Sequence, residues 1–208
     1  MASRTDTRPR TRLGREERRE QLIAAATEVF NGRDPNDVTF EEVAEAAGVS
    51  RALVYNYFGD RHGLIEAVHL RHINDLRARV NYALASVRDR RLAMRRVVRV
   101  HLEYARLDPV GYTYAVGAPD APQHPRLDAQ RVDDVAAAWG GGVEAELLAR
   151  GLLAAVRSMT LHWLELDSPD IDRAEDVISQ FVWKGAAGAS ELGLELRPWW
   201  PVPPTVTT

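Results

Sequence analysis

The chain has 208 residues, a formal net charge of -3 and no cysteine. It is long enough for one large helical domain or for a small domain joined to a larger one, and it excludes a disulfide framework and a thiolate zinc site. The slightly acidic balance excludes reading polyanion binding from overall charge, so any such binding must come from local placement of charge.

Arginine dominates the cations, with Lys184 the single lysine, which reflects compositional bias rather than function. No apolar stretch precedes Leu22, so no signal peptide is expected. Arg150, Arg157, His162 and Glu165 interrupt the most apolar region, Leu147 to Leu166, which argues against a membrane span. A cytoplasmic protein without a cofactor is expected.

In chain order, residues 1–14 are polar and rich in Arg and Thr, and are expected to form a basic arm. The arm reads either as a solvated tail or as an extension that enters a minor groove. From Arg15 the pattern becomes helical, with Leu22, Ala26, Val29 and Phe30 on one face and Asn31-Gly32 as the stop. Asp34-Pro35 continues that break as a turn. Thr39 and Glu42 then have the spacing of a capping box, and Val38 and Val43 that of a hydrophobic staple, so a second helix starts here. Gly48 ends it by supplying a positive φ, Ser50 caps a third helix running to Phe58, and Gly59 closes that one. Asp60 caps a fourth helix, predicted to reach about Tyr82.

Farther along, Arg88 to Leu107 forms an amphipathic helix that ends at Asp108-Pro109, since proline disfavours helical geometry in the residue before it. Its arginines 88, 90, 91, 95, 96 and 99 read as a solvated face. A short helix and a loop are expected between Gly111 and Pro125, and a helix resumes near Arg126 and ends at Gly140-Gly141-Gly142. Two long helices follow, Val143 to Leu166 and Asp170 to Leu192, with Ser168-Pro169 between them. A proline-rich tail occupies 197–208. No strand pattern appears. The fold class is therefore all-α: a three-helix helix-turn-helix domain at 15–62, and a larger helical effector-binding and dimerisation domain at 63–196.

The segment TFEEVAEAAGVSRALVYNYF packs helix, tight turn and helix into about twenty residues, the size of a DNA-reading helix-turn-helix. Ala44 suits the close crossing, while Val43, Val49, Val54 and Phe58 can pack inward against Leu22, Val29 and Phe30. Arg51, Ala52, Tyr55 and Asn56 are left pointing outward. Arginine can bind guanine bidentately, asparagine can bind adenine, and alanine can touch a thymine methyl. Tyr55 and Tyr57 offer hydroxyls to phosphates, and Thr39 and Arg61 lie at helix N-termini, where backbone N–H groups favour an anion.

With VAEAAGVSRALVYNYFGDRHGLIEAV in view, residues 15 to 70 resemble the DNA-binding domain of the TetR family of bacterial transcriptional regulators. The stretch LHWLELDSPDIDRAEDVISQFVWKGAAGA is similar to that family's two dimerisation helices. The resemblance implies that Ser50, Arg51, Ala52, Tyr55, Asn56 and Tyr57 occupy recognition-helix positions. It also implies that Arg61 replaces a phosphate-contacting lysine. Leu53 departs from the common threonine, and an exposed leucine there would meet a base methyl instead.

The helix predicted over Val143 to Leu166 carries two apolar stripes, one to bury in a core and one for a partner. The last helix adds Ile178, Phe181, Val182, Ala189 and Leu192. A homodimer through these two helices would set its reading heads about 34 Å apart and demand a near-palindromic operator on double-stranded DNA. Met94, His101, Tyr104, Tyr112, Tyr114, Trp139, Met159, His162 and Trp163 crowd the middle of the chain. They are candidates to line a cavity for a small hydrophobic or aromatic effector, and each also reads as ordinary core. The expected function is a repressor that the effector releases from DNA by tilting the fourth helix. An effector-independent DNA-binding protein is the alternative. An enzyme is not expected: His101 and His162 lack a nucleophile and an acidic orienter, and His62, Glu66 and His69 share a helical face without making a convincing metal site.

Overall fold

A computed structural model of the chain describes residues 14–31, 33–117, 125–166, 170–195 and 197–198. The expected arm, apart from Gly14, lies outside these residues. So do the Ser168-Pro169 connection and most of the tail. Among the described residues the chain is helical without a strand: α1 Arg15–Phe30, α2 Phe40–Ala47, α3 Arg51–Phe58, α4 Arg61–Leu84, α5 Arg90–Leu107, α6 Pro109–Val116, α7 Pro125–Ala136, α8 Val143–Glu165 and α9 Ile171–Gly188. Two compact units result, one ending at Val68 and the other beginning at His69.

In the first unit the local signals act as the residue types require. Thr39 Oγ1 accepts from the Glu42 N–H at 3.3 Å, and Glu42 Oε2 accepts from the Thr39 N–H at 2.8 Å, which closes the capping box. Gly48 sits at φ 65°, and the Val49 N–H returns to the Ala44 carbonyl at 2.9 Å, so orphan carbonyls of α2 are satisfied inside the turn. Ser50 Oγ accepts from the Leu53 N–H, and Asp60 Oδ1 from the Gly63 N–H. Leu22, Ile23, Ala26, Phe30, Val38, Val43 and Val54 make a fully buried core. Val29, Val49 and Phe58, expected inside, are half-buried, and Ile23 takes the deep position instead. The apolar stripe of α1 is thus turned slightly from the one the sequence pattern favours.

The second unit centres on Val98 and Leu102 of α5, Val156 and Trp163 of α8, and Ile178 and Val182 of α9. Asp89 caps α5 by accepting from the Leu92 N–H at 2.7 Å, so that helix starts two residues later than predicted. Asp108 ends α5 with φ -142° and at once caps α6, whose first residue is Pro109, where the missing N–H costs nothing.

The arginine face of α5 needs correction as a wholly solvated surface. Arg95 pairs with Glu175 and with Asp176 at 2.8 Å, while Arg99 reaches Glu175 at 3.0 Å, Glu103 at 2.7 Å and Asp172. Glu175 is buried, and these two guanidiniums supply the counter-charge that a buried carboxylate needs. Two of the six arginines of that presumed solvent face, Arg95 and Arg99, therefore clamp α9 to α5.

Candidate nucleic-acid interface

The recognition surface is built by what holds its far side. Val54 is buried on the inner face of α3, so Arg51, Ala52, Tyr55 and Asn56 fall outside and all four are exposed. Gln21 Nε2 donates to the Ala47 carbonyl at 3.1 Å and ties α1 to the end of α2, and Arg19 lies 5.9 Å from the centroid of the Phe58 ring at the end of α3. The outward side chains are themselves organised. The Tyr55 ring packs edge-on against Phe40, centroids 4.4 Å apart, and Arg51 stacks over the Tyr55 ring at 5.1 Å while donating to its hydroxyl at 3.0 Å. Arg51 also pairs with Glu41. That pair engages Nη1 of the guanidinium, while Nη2 is the donor to Tyr55.

At the edges, Thr39 and Arg61 flank the helix-turn-helix. Both are exposed, and Arg61 donates to the Asn36 carbonyl in the 3-10 turn Pro35–Asp37. Glu42 beside Thr39 is held down to about 2 by the Arg33 guanidinium first and the Thr39 N–H second, so it stays anionic with its charge matched by Arg33. Tyr57 is half-buried next to Phe58, ring centroids 6.3 Å apart. Leu53 is half-buried rather than exposed, which leaves less of it for a base methyl. Glu41, Phe40 and Asn36 were not legible in the sequence. Glu41 lies ten residues before Arg51, a separation that no helical spacing marks.

In the second unit, the expected ligand residues separate into three groups. Met94, His101 and Trp139 line a small apolar pocket of about 70 Å³ together with Val97, Val135 and Leu153. His101, Val97, Val135 and Leu153 also border a larger cavity of about 400 Å³ whose wall adds Leu76, Val80 and Arg131. Tyr104 and Tyr112 are fully buried and belong to a network: the Tyr104 hydroxyl lies 2.9 Å from His72 Nδ1, and the Tyr112 hydroxyl 2.9 Å from His101 Nδ1. Tyr114 joins it by ring contacts with His69 and His72. Burial pushes His101 down to about 3 and Tyr112 upward, so the His101–Tyr112 pair is neutral across the physiological range; burial also raises Tyr104 and lowers His72. Met159, His162 and Trp163 border a groove of about 350 Å³ on the α8–α9 surface instead. The buried indole N–H groups of Trp139 and Trp163 have no acceptor among the described residues.

His62 and Glu66 are exposed and His69 is buried against Tyr114. Among the described residues no cluster of three His, Cys, Asp or Glu side chains could hold a metal, and no helix is long and apolar enough to cross a membrane.

A capped helix, a glycine turn and an anchored helix with a polar outer face define a helix-turn-helix DNA-binding protein. Residues 22–68 match the family model of bacterial regulatory proteins of the tetR family. The chain is 32% identical over 186 residues to the HTH-type transcriptional activator FasR of Mycolicibacterium smegmatis, covering 84% of this chain and 85% of that protein. It is 44% identical over 66 residues to the HTH-type transcriptional regulator LuxR of Vibrio harveyi, about a third of each chain. Among solved structures it is similar to a TetR-like transcriptional regulator from Rhodococcus sp. RHA1, with a TM-score of 0.68 and 21% identity over 85% of this chain and 100% of that one. It is also similar to the transcriptional regulator FadR of Bacillus subtilis, solved in complex with stearoyl-CoA, with a TM-score of 0.66 and 13% identity over 80% and 98%. The chain belongs to the TetR family and is a DNA-binding transcriptional regulator.

Proposed function

We propose that the protein acts as a homodimer that grips a near-palindromic operator through α3 of each copy and releases it when a small, largely apolar ligand occupies the second unit. DNA reading is assigned to residues 15–62, and ligand binding and dimerisation to 63–196. The observation that carries the reading is α3 itself: Val54 fixes its buried side, and Arg51, Ala52, Tyr55 and Asn56 stand exposed on the other. Arg51 and Asn56 supply base-edge hydrogen bonds, Ala52 an apolar contact, and Thr39, Ser50, Tyr57 and Arg61 contacts to the backbone phosphates.

A ligand role is supported by the cavity of about 400 Å³, within the ~300–1,000 Å³ usual for small-molecule sites. The Trp139 indole N–H, buried beside the smaller pocket without an acceptor among the described residues, is a polar group of the kind that orients a bound ligand. The stearoyl-CoA held by the Bacillus subtilis neighbour is consistent with an amphiphile in a helical body of this architecture. To act as an inducer, the ligand must bind one arrangement of the dimer more tightly than the other.

Dimerisation is supported by the apolar groups exposed on α8 and α9, with Leu147 65%, Val177 46% and Phe181 60% accessible. In this reading release by ligand makes the protein a repressor. A second reading, an activator, is favoured by the name of the Mycolicibacterium relative, and operator position relative to the promoter decides between the two.

Selection of bound DNA from a random pool tests the proposal. Two inverted half-sites whose centres lie about one helical turn, ~34 Å, or a multiple of it apart are expected. A pool that stays random after repeated rounds would contradict sequence reading altogether.

A further inference from the structure

A carboxylate on a surface that meets phosphates works against binding, because it repels the polyanion that neighbouring cations attract. Glu41 is such a group. It is the second residue of α2, two positions after the proposed phosphate anchor Thr39, and its side chain reaches across to Arg51 at the start of α3. Both partners stay exposed, with side chains 54% and 55% accessible, so the pair adds little to folding stability. Its consequence lies in what it does to Arg51.

Arg51 is held from more than one side. Nη1 meets Glu41 Oε1, Nη2 donates to the Tyr55 hydroxyl at 3.0 Å, and the guanidinium carbon lies 5.1 Å from the centroid of the Tyr55 ring. Tyr55 is fixed in turn by Phe40, the buried first residue of α2, whose ring meets it edge-on. Adjacent residues of α2 therefore grip two residues one turn apart on α3, ring to ring and charge to charge. Each terminal guanidinium nitrogen carries a second N–H, and Nε its own, so donors for a base edge remain while the clamp is closed. The Tyr55 hydroxyl likewise accepts from Arg51 and keeps its own proton for a phosphate.

Bidentate contact with guanine requires the guanidinium fork to line up with the base edge. A free arginine gives up much rotamer freedom to reach that alignment, whereas one already clamped gives up less. The Glu41 charge also offsets that of Arg51, which weakens its attraction to phosphates on DNA of any sequence. Both effects favour the base-specific complex over the random one.

We propose that Glu41 is a specificity-determining positioning residue: it holds Arg51 against Tyr55, oriented for one base edge, and keeps it from settling on backbone phosphates. Glu41 itself touches no base. The inference rests on the base-reading role proposed above for Arg51, and it adds a residue of α2 that sets the selectivity of that contact.

The test is a set of anisotropy titrations of the full-length protein in four forms: wild type, Glu41→Gln, Arg51→Ala and the double variant. Each is titrated with the selected operator, with operators changed at every base pair of both half-sites in turn, and with random DNA. Arg51→Ala identifies the base pair that Arg51 reads. At that pair alone, Glu41→Gln should lose roughly two- to fivefold of the preference, the size of an exposed ion pair. The same change in the Arg51→Ala background should do nothing further there. Affinity of Glu41→Gln for random DNA should rise, since an anion is gone and Arg51 is released to phosphates. Full preference at the Arg51 pair in Glu41→Gln overturns the proposal. A loss at another base pair that persists in the Arg51→Ala background also overturns it, and makes Glu41 a base reader that accepts from cytosine. Equal weakening on every DNA, with a lowered melting temperature, assigns Glu41 a purely structural role and overturns it too. If Arg51→Ala costs no base preference anywhere, the base-reading role of Arg51 is what fails, and the role of Glu41 falls with it.

Discussion

Replacing Val54 by aspartate is expected to abolish DNA binding while the second unit stays folded. Val54 has no accessible surface and lies on the inner face of α3, within a core that includes Leu22, Ile23, Phe30 and Val43. A carboxylate there has no described cation or donor to compensate it. Burying an ionised group without a partner costs several kcal/mol, a large fraction of a small domain's stability of about 5–15 kcal/mol. The side chain must turn outward, and α3 must rotate or melt with it. Because α3 carries every proposed base contact, specific binding should fall below detection. The core around Val98, Trp163 and Val182 shares no residue with this change, so a helical unfolding transition should remain. The checks are a gel shift and a thermal melt followed by circular dichroism. Wild-type affinity in the variant would mean that α3 is not positioned through Val54.

A second large effect belongs to Phe181→Asp. Phe181 stands 60% exposed on α9, with Val177 one turn before it, and the groove alongside is lined by Met159, Trp163 and Ile178. If a second copy covers this face, the substitution buries an unpaired charge in each half of a two-fold interface, so its penalty is felt twice. The protein should sediment as a monomer at micromolar concentration. Affinity for a two-half-site operator should then drop by about a hundred- to ten-thousandfold, because the second head no longer binds as a tethered partner. Binding to a single half-site should change little. Tyr82→Asp, at an 87% exposed position on α4, is the control and should leave the oligomer intact. A Phe181→Asp protein that remains dimeric would move the interface elsewhere.

How far the sequence reached depended on whether a feature was local. The Thr39–Glu42 box, the turn at Gly48, and the caps at Ser50 and Asp60 each lie within a few residues, where one side chain reaches one backbone group, and all are present in the fold. The first unit was legible for that reason. Pairings across the chain were not. Arg95 and Arg99 looked solvated because their partners, Asp172 and Glu175, lie more than seventy positions later. Arg51 looked free because nothing marks Glu41 as its partner.

The aromatic candidates scattered for a related reason. Helical spacing says that Tyr112 and Met159 are apolar positions, but not whether each faces the core, a cavity or open surface. Tyr112 went to a buried hydrogen-bonded pair with His101, and Met159 to an external groove.

The central claim is that this helix-turn-helix reads bases with α3 and holds phosphates at its edges. Comparing Arg51→Ala with Arg61→Ala on the selected operator and on random DNA, across a salt series, tests it most directly. Arg51→Ala should lose roughly ten- to a hundredfold of the preference for one base per half-site, with little change on random DNA. Arg61→Ala should weaken both DNAs alike and reduce the salt slope by about one. Equal losses on operator and random DNA from both variants would contradict the division between base readers and phosphate anchors.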